Sequence, residues 1–289
     1  MRELRGKSAV VIGGGSGIGR GIALALAEAG ANVAVADIEK GAAEAVAGEL
    51  QGAGVRGLAF RVDATDVASL ESLADEVFDA FGAVHVLSNN AGVMLLRPVL
   101  EASEADWLFV MSVNLHGIVN CCRVFAARLV EQREESVIVN TASMAALLGQ
   151  AYPGLAAYTA SKHACLGFSE ALRGELAPHG IRVSVLCPGM VHSNLARTSA
   201  RNRPARFGGP SPEPDVDTSH LSMMPAEECG RIVVRALRED RFLILTHPET
   251  RSLVEARYRS FLADYDAELR AREREGADAA TSKPPRRSA

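Results

Sequence analysis

Short runs of valine, isoleucine and alanine recur along the chain, separated by longer alanine- and leucine-rich stretches in which charges fall three or four residues apart. The runs suit strands buried on both faces; the stretches suit helices with one apolar face. Strands are predicted at residues 8–12, 32–37, 55–62, 84–88, 136–141, 181–187 and 242–245, with helices starting near Gly17, Glu39, Asp66, Ser103 and Ala157. Apolar strands alternating with helices require a parallel sheet with helices on both faces, because each right-handed crossover must pass over one face or the other. The pattern therefore predicts a single α/β domain over residues 1–274, doubly wound around a mainly parallel seven-stranded sheet.

The rhythm changes after Pro188. Residues 189–224 carry prolines at 204, 210, 212 and 214, two adjacent glycines and little periodicity, which predicts a long irregular segment, and loops of that length serve function or are disordered. Order resumes with Pro225 as a first helical residue, a helix to about 239, the last strand, and a charged helix from about 248 to 274. Residues 275–289 read as a frayed tail.

Composition narrows what such a domain does. Of the 289 residues, 48% are hydrophobic and 23% charged, and the formal net charge is −4. That balance fits a globular protein and lacks the basic field that nucleic acid requires. No uninterrupted apolar run approaches the roughly 20 residues of a membrane span, and the segment behind Arg2, Arg5 and Lys7 is too short for a signal-peptide core. A cytoplasmic protein without nucleic-acid or membrane partners is expected. Its five cysteines are odd in number and set among apolar residues without Cys-x-x-Cys pairing, as expected of reduced thiols packed as small hydrophobes. No metal is expected.

Candidate chemistry starts where the first strand ends, at Gly13-Gly14-Gly15-Ser16-Gly17-Ile18-Gly19. Glycines there let the backbone turn sharply and approach a pyrophosphate, whose charge the free N–H groups and dipole of the next helix stabilise. A plain glycine-rich turn is the alternative. Asp37 ends the second strand 18 residues beyond Gly19, where such folds present an acid to ribose hydroxyls. It would repel the extra phosphate of NADP and so favours NAD; alternatively it caps the following helix. Tyr158 and Lys162 stand four residues apart and thus share a helix face. With four tyrosines and four lysines in the chain, chance supplies roughly 0.06 such pairs. A phenol ionises near 10, and bringing it to neutrality takes about 4 kcal/mol. One lysine charge at about 4 Å contributes a similar amount at an effective dielectric of about 20.

Taken in order, the glycine segment, Asn89-Asn90-Ala91-Gly92, Tyr158-Thr159-Ala160-Ser161-Lys162 and Pro188-Gly189 resemble the short-chain dehydrogenase/reductase family over roughly residues 5–192. The resemblance implies a Rossmann fold and an NAD-dependent oxidoreductase that interconverts a secondary alcohol and a ketone, with Tyr158 as acid and base. It implies that Ser143 bonds the substrate oxygen, that Asn114 holds a proton-relaying water, and that Lys162 also binds the nicotinamide ribose. Gly13, Ser16, Gly17, Ile18, Gly19, Asp37, Asp63, Ala64, Asn90, Ala91, Gly92, Pro188, Gly189, Val191 and Ser193 would complete the cofactor site. Simpler readings stand beside these: Ser143 as a strand-end turn residue, Asn114 as a polar helix kink, Asp63 as a strand terminator. Family members commonly assemble as dimers or homotetramers, so a homo-oligomer is expected.

Three departures stand out. Ile12 replaces the threonine usual before the first glycine, Ser193 replaces a threonine but keeps its hydroxyl, and the 15-residue spacing from Ser143 to Tyr158 is about two longer than usual. Segment 189–224 would cover the substrate, with Leu195, Phe207, Leu221, Met223 and Met224 either facing a bulky apolar molecule or packing on the protein. Ser193-Asn194-Leu195-Ala196, Arg203-Pro204-Ala205-Arg206-Phe207-Gly208 and Thr246-His247-Pro248-Glu249 are loosely similar to bacterial members that oxidise benzylic alcohols of aryl ethers. An idle NAD-binding sensor of the same fold and an NADP-dependent carbonyl reductase are the other readings.

Overall fold

The structure is a computed structural model that describes residues 1–148, 153–212 and 222–281. It divides into two compact units, Met1–His247 and Pro248–Ala289. The first holds all seven strands: β1 (Ser8–Ile12), β2 (Asn32–Asp37), β3 (Gly57–Arg61), β4 (Val86–Asn89), β5 (Ser136–Thr141), β6 (Ile181–Cys187) and β7 (Leu243–Leu245). They form one sheet in the order β3-β2-β1-β4-β5-β6-β7, every pair parallel. This is the predicted doubly wound architecture, a Rossmann-type sheet.

Helices α1 (Gly17–Glu28), α2 (Lys40–Gly52), α3 (Val67–Phe81), α4 (Glu104–Met111), α5 (Ile118–Gln132), α6 (Ala145–Leu148), α7 (Ala156–Leu176), α8 (Leu195–Arg201) and α9 (Ala226–Arg238) complete this unit. The starts follow side-chain chemistry. Asp66 caps α3 by accepting from the Ala68 N–H at 3.1 Å, and Ser103 and Asp106 form a reciprocal capping box on α4. Pro225 is the N-cap of α9 and not its first helical residue as predicted. The predicted helix from Ser103 is α4 and α5 joined by a π-turn, Ser112–Gly117. The second unit consists of a short turn, Pro248–Thr250, and helix α10 (Arg251–Thr281), stitched by i,i+4 pairs such as Arg251–Glu255 and Arg272–Glu268. This helix runs past the Arg274 expected from its charge spacing.

On one face of the sheet Ile22, Leu26, Val233 and Leu237 of α1 and α9 are buried with Val11, Val35, Val137 and Val139. The other face takes α3, α5 and α7. The stretch Glu104–Gln132 has a mean hydropathy of 1.4 in its most apolar window, enough in length and composition to cross a bilayer although polar residues interrupt its apolar run. Here Phe109, Val110, Ile118, Phe125 and Leu129 are buried in the protein, so it serves as a core helix. All five cysteines are free and buried, and burial pushes the Cys121, Cys187 and Cys229 thiols up to about 12.

The sheet's first helix is set by glycine. A Cβ on Gly230 would lie 2.0 Å from the Gly21 carbonyl, and one on Gly21 would lie 2.0 Å from that of Ala226, so α1 and α9 touch backbone to backbone. Gly230→Ala should therefore cost at least about 2 kcal/mol through overpacking, read from the midpoint of urea unfolding. An unchanged midpoint would show that the helices part freely.

Candidate active site

The order reverses at β1 and β4: the chain runs outward to β2 and β3 on one side and to β5, β6 and β7 on the other. The crevice between diverging loops at that point is where such folds bind ligands. A cavity of about 400 Å³ opens there.

Its floor is the glycine turn. Gly13 has φ +75°, and a Cβ there would come within 2.6 Å of Ala91; the Asn90 side chain donates to the Gly13 carbonyl at 3.1 Å. Gly19 packs so close to Gly13 that a Cβ would meet its carbonyl oxygen at 2.0 Å. Helix α1 starts at this turn with no side-chain cap and no acid in its first turn. The amides that a cap normally satisfies thus face the cavity, the arrangement an anionic diphosphate needs. Asp37 lies beside them, accepting from the Gly15 N–H at 2.9 Å and the Glu39 N–H at 3.0 Å. Burial raises its carboxyl above the ordinary range, against the pull of the Glu39 and Gly15 amides.

At the opposite end stand Tyr158 and Lys162. Lys162 is 4% exposed, and its Nζ donates to the Thr141 carbonyl at 2.9 Å. It lies 5.6 Å from the Tyr158 ring centroid. Among the described residues no carboxylate pairs with it. The polar chain Asn89 Nδ2 to Asn140 Oδ1 at 2.8 Å and Asn140 Nδ2 to Ser169 Oγ at 2.9 Å ties β4 and β5 to α7, which holds the Tyr158–Lys162 face toward the crevice. Asn114 sits in the π-turn with its side chain fully engaged. It accepts from the Val93 N–H at 2.7 Å and donates to the Val93 carbonyl and to Ser161 Oγ. Ser143 Oγ accepts from the Ala145 N–H at 3.1 Å, leaving its own proton to donate.

Of the residues singled out from sequence, Gly13, Ser16, Gly17, Ile18, Asp37, Asp63, Ala64, Asn90, Ala91, Gly92, Tyr158, Lys162, Pro188 and Ser193 line the cavity. Gly19, Asn114, Ser143, Gly189 and Val191 are not among its described lining residues. Asp63 binds its own neighbourhood, accepting from the Thr65 N–H and hydroxyl. Val191 packs into the core and bridges to Met224. Of the five apolar residues proposed for the cover, Leu195 and Phe207 line the cavity, Met224 packs against the core, Met223 is half-buried away from the lining, and Leu221 lies outside the described residues.

The described part of the cover, residues 189–212 and 222–224, holds more regular structure than its sequence suggests. The Met224 N–H donates to the Met190 carbonyl and the His192 N–H to the Met224 carbonyl, both at 2.9 Å, and between these residues α8 and the turn Ala205–Phe207 lie over the crevice. Ser199 Oγ accepts from the Met94 N–H at 2.9 Å, Arg206 donates to Thr65 Oγ1 at 2.7 Å, and Phe207 meets the Phe109 ring at 5.8 Å between centroids. Arg203 is buried, paired with Asp106 at 2.7 Å, hydrogen-bonded to the Phe207 carbonyl and set over Phe109. Phe109 and Arg201 were missed from sequence, and Arg203 was noted only within a motif and not as an ion-pair partner, because their partners lie far away along the chain.

A parallel sheet with a glycine turn at its switch point and a Tyr–Lys pair across the cavity defines a dinucleotide-binding oxidoreductase. The model of the short chain dehydrogenase family matches residues 7–204, and the chain belongs to that family. It is similar to the 1-deoxy-11-beta-hydroxypentalenate dehydrogenase of Streptomyces exfoliatus, with 38% identity over 251 residues and 86% of each chain covered. It is also 30% identical over 269 residues to the C alpha-dehydrogenase of a Sphingobium strain, covering 91% of this chain and 87% of the relative. Among solved structures, a short-chain dehydrogenase/reductase from Burkholderia phymatum in complex with NAD matches with TM-score 0.82 and 34% identity, over 91% of this chain and 97% of that one.

Breaking a buried ion pair by removing one partner costs about 3–5 kcal/mol, since the other charge is left unpaired. Asp106→Asn should accordingly destabilise the protein by about 3 kcal/mol, and adding Arg203→Met should restore part of the loss. Purely additive losses in chemical unfolding would show that the two residues do not act as a pair.

Proposed function

We propose that the protein is an NAD-dependent dehydrogenase that interconverts a bulky, hydrophobic secondary alcohol and its ketone. The observation that carries this reading is the buried Lys162 ammonium, held by a carbonyl and not by an acid, beside Tyr158 in the cavity that ends at the uncapped start of α1. A buried cation without a counter-ion is costly, and a fold needing only stability would not keep it.

The cavity suits the cofactor in three places. The free amides of α1 would take the diphosphate, Asp37 the adenosine ribose hydroxyls, and Lys162 the nicotinamide ribose. Bound there, the nicotinamide supplies hydride transfer to or from the substrate carbon. In the oxidative direction the Tyr158 hydroxyl oxygen, as phenolate, takes the alcohol proton, and in reduction the phenol gives one to the carbonyl oxygen. Lys162 stands 5.6 Å from the Tyr158 ring centroid, and Ser143 donates its remaining hydroxyl proton to the substrate oxygen. Because the Asn114 side chain is committed to Val93 and Ser161, its part in a water relay falls to its main-chain carbonyl, which a π-turn takes out of the regular helical pattern. The substrate end is apolar: Val93, Phe109, Val113, Leu195 and Phe207 line it. That lining, and a relative named for dehydrogenating a hydroxypentalenate, support a bulky apolar alcohol, with aryl alcohols the first to try.

Tyr158→Phe should leave NADH binding within about twofold and lower turnover by at least about a hundredfold, in a panel of aryl and alicyclic secondary alcohols followed by NADH absorbance. Retained turnover on a substrate that the wild type oxidises would sink the assignment. The raised Asp37 carboxyl gives a second outcome. Its charged form accepts the ribose hydroxyls, so NADH affinity should hold above its pKa and weaken as pH falls through it, at a higher pH than an ordinary aspartate would give. The dependence should flatten in Asp37→Asn, as read by NADH fluorescence; an unflattened profile would assign the effect elsewhere.

A further inference from the structure

Segment 189–224 reaches beyond the catalytic end. Arg201, the last residue of α8, extends to the opposite end of the cavity and donates to both carboxylate oxygens of Glu39, at 2.5 and 2.6 Å, while Asn202 Nδ2 donates to Glu39 Oε1 at 2.7 Å. Glu39 is two residues beyond Asp37, and Asp37, Ile38, Glu39, Arg201 and Asn202 all line the same cavity. The described lining contains two cations, Lys162 beside Tyr158 and Arg201 beside Asp37. Of these two, Arg201 is the one bonded to Glu39, at the end where an adenosine ribose would meet Asp37.

We propose that Glu39 is a cofactor-specificity residue that acts by holding Arg201. A guanidinium is the side chain best matched to a phosphate, offering paired N–H donors in a plane. Turned toward the ribose site, Arg201 would receive the 2′-phosphate of NADP and offset the repulsion from Asp37. Both Glu39 oxygens instead take up the guanidinium, and the Glu39 charge adds to the repulsion. Discrimination against the phosphorylated cofactor then rests on two elements: the Asp37 carboxylate, and the capture of the Arg201 guanidinium by a second carboxylate. Specificity of this kind is built against the unwanted ligand and not for the wanted one. The same contact ties the cover to the start of α2, so the device works only with the cover in place over the adenosine end.

This inference rests on the reading of the cavity as a nicotinamide dinucleotide site. The test is a double-mutant cycle on the full-length protein, with dissociation constants for NADH and NADPH from fluorescence titration of the wild type, Glu39→Gln, Arg201→Ala and the double variant. Glu39→Gln should lower the ratio of NADPH to NADH dissociation constants by about tenfold, the scale of one charge-assisted hydrogen bond. Arg201→Ala in the wild-type background should leave the ratio within about twofold, since the cation is already taken. In the Glu39→Gln background it should abolish most of the gain. NADH binding by each variant reports that the fold is intact. A wild type that binds NADPH more tightly than NADH overturns the cofactor reading and this inference together. If the wild type prefers NADH and Glu39→Gln leaves the ratio unchanged, or Arg201→Ala fails to reverse the gain, the role of Glu39 is overturned and the NAD reading stands.

Discussion

Every strand of this sheet is parallel, and the connections that leave it must cross a face. Where the strand order reverses, between β1 and β4, the loops diverge, and nothing from the chain's own crossovers fills the gap between them. That topological constraint creates the crevice before any side chain is chosen. The glycine turn exploits it: Gly13 and Gly19 bring the start of α1 so close to β1 that its amides stand at the mouth of the gap without a capping side chain. The strand ends supply the rest, because Asp37 and Thr141 are the last residues of β2 and β5, on the same edge of the sheet as the turn.

The energetics of the site run against those of the core around it. Lys162 buries an ammonium against a single carbonyl, and Asp37 carries a carboxyl whose ionisation is hindered by burial. Both are the kind of arrangement that a chain selected for stability alone would replace. The surroundings offset them with strands buried on both faces and with an Asn114 side chain whose bonding capacity is used up internally. Asn114 spends its amide on Val93 and Ser161, joining the loop after β4, the π-turn and α7 into one unit.

How much of this could be read from the sequence depended on distance along the chain. The seven strands and the Tyr158–Lys162 face follow from periodicity within a few residues, and the structure brings 14 of the residues singled out from sequence around one cavity. The π-turn left no trace, because an extra residue in a helical turn changes neither composition nor amphipathic pattern enough to register. The cover was legible only as a break in pattern. Its attachments join residues more than a hundred positions apart, as in Arg201 with Glu39, Arg206 with Thr65 and Ser199 with Met94, and no local spacing encodes such a pair. Val191 shows the reverse case, a position singled out for its family resemblance that the fold uses as core.

The stitch between Met190 and Met224 separates two kinds of sequence freedom. Because the two ends of the excursion are held together at its neck, its length is not dictated by the span between β6 and α9. Closing a longer loop adds only about 0.6 kcal/mol per doubling. Residues can therefore be inserted, lost or exchanged beyond the neck without moving Tyr158, Lys162 or the glycine turn. The fold thus keeps Tyr158, Lys162 and the glycine turn on the sheet and its crossing helices, and the residues over the crevice on an appendage closed at its own neck, so the lining of the cavity can change by lengthening or reshaping one loop.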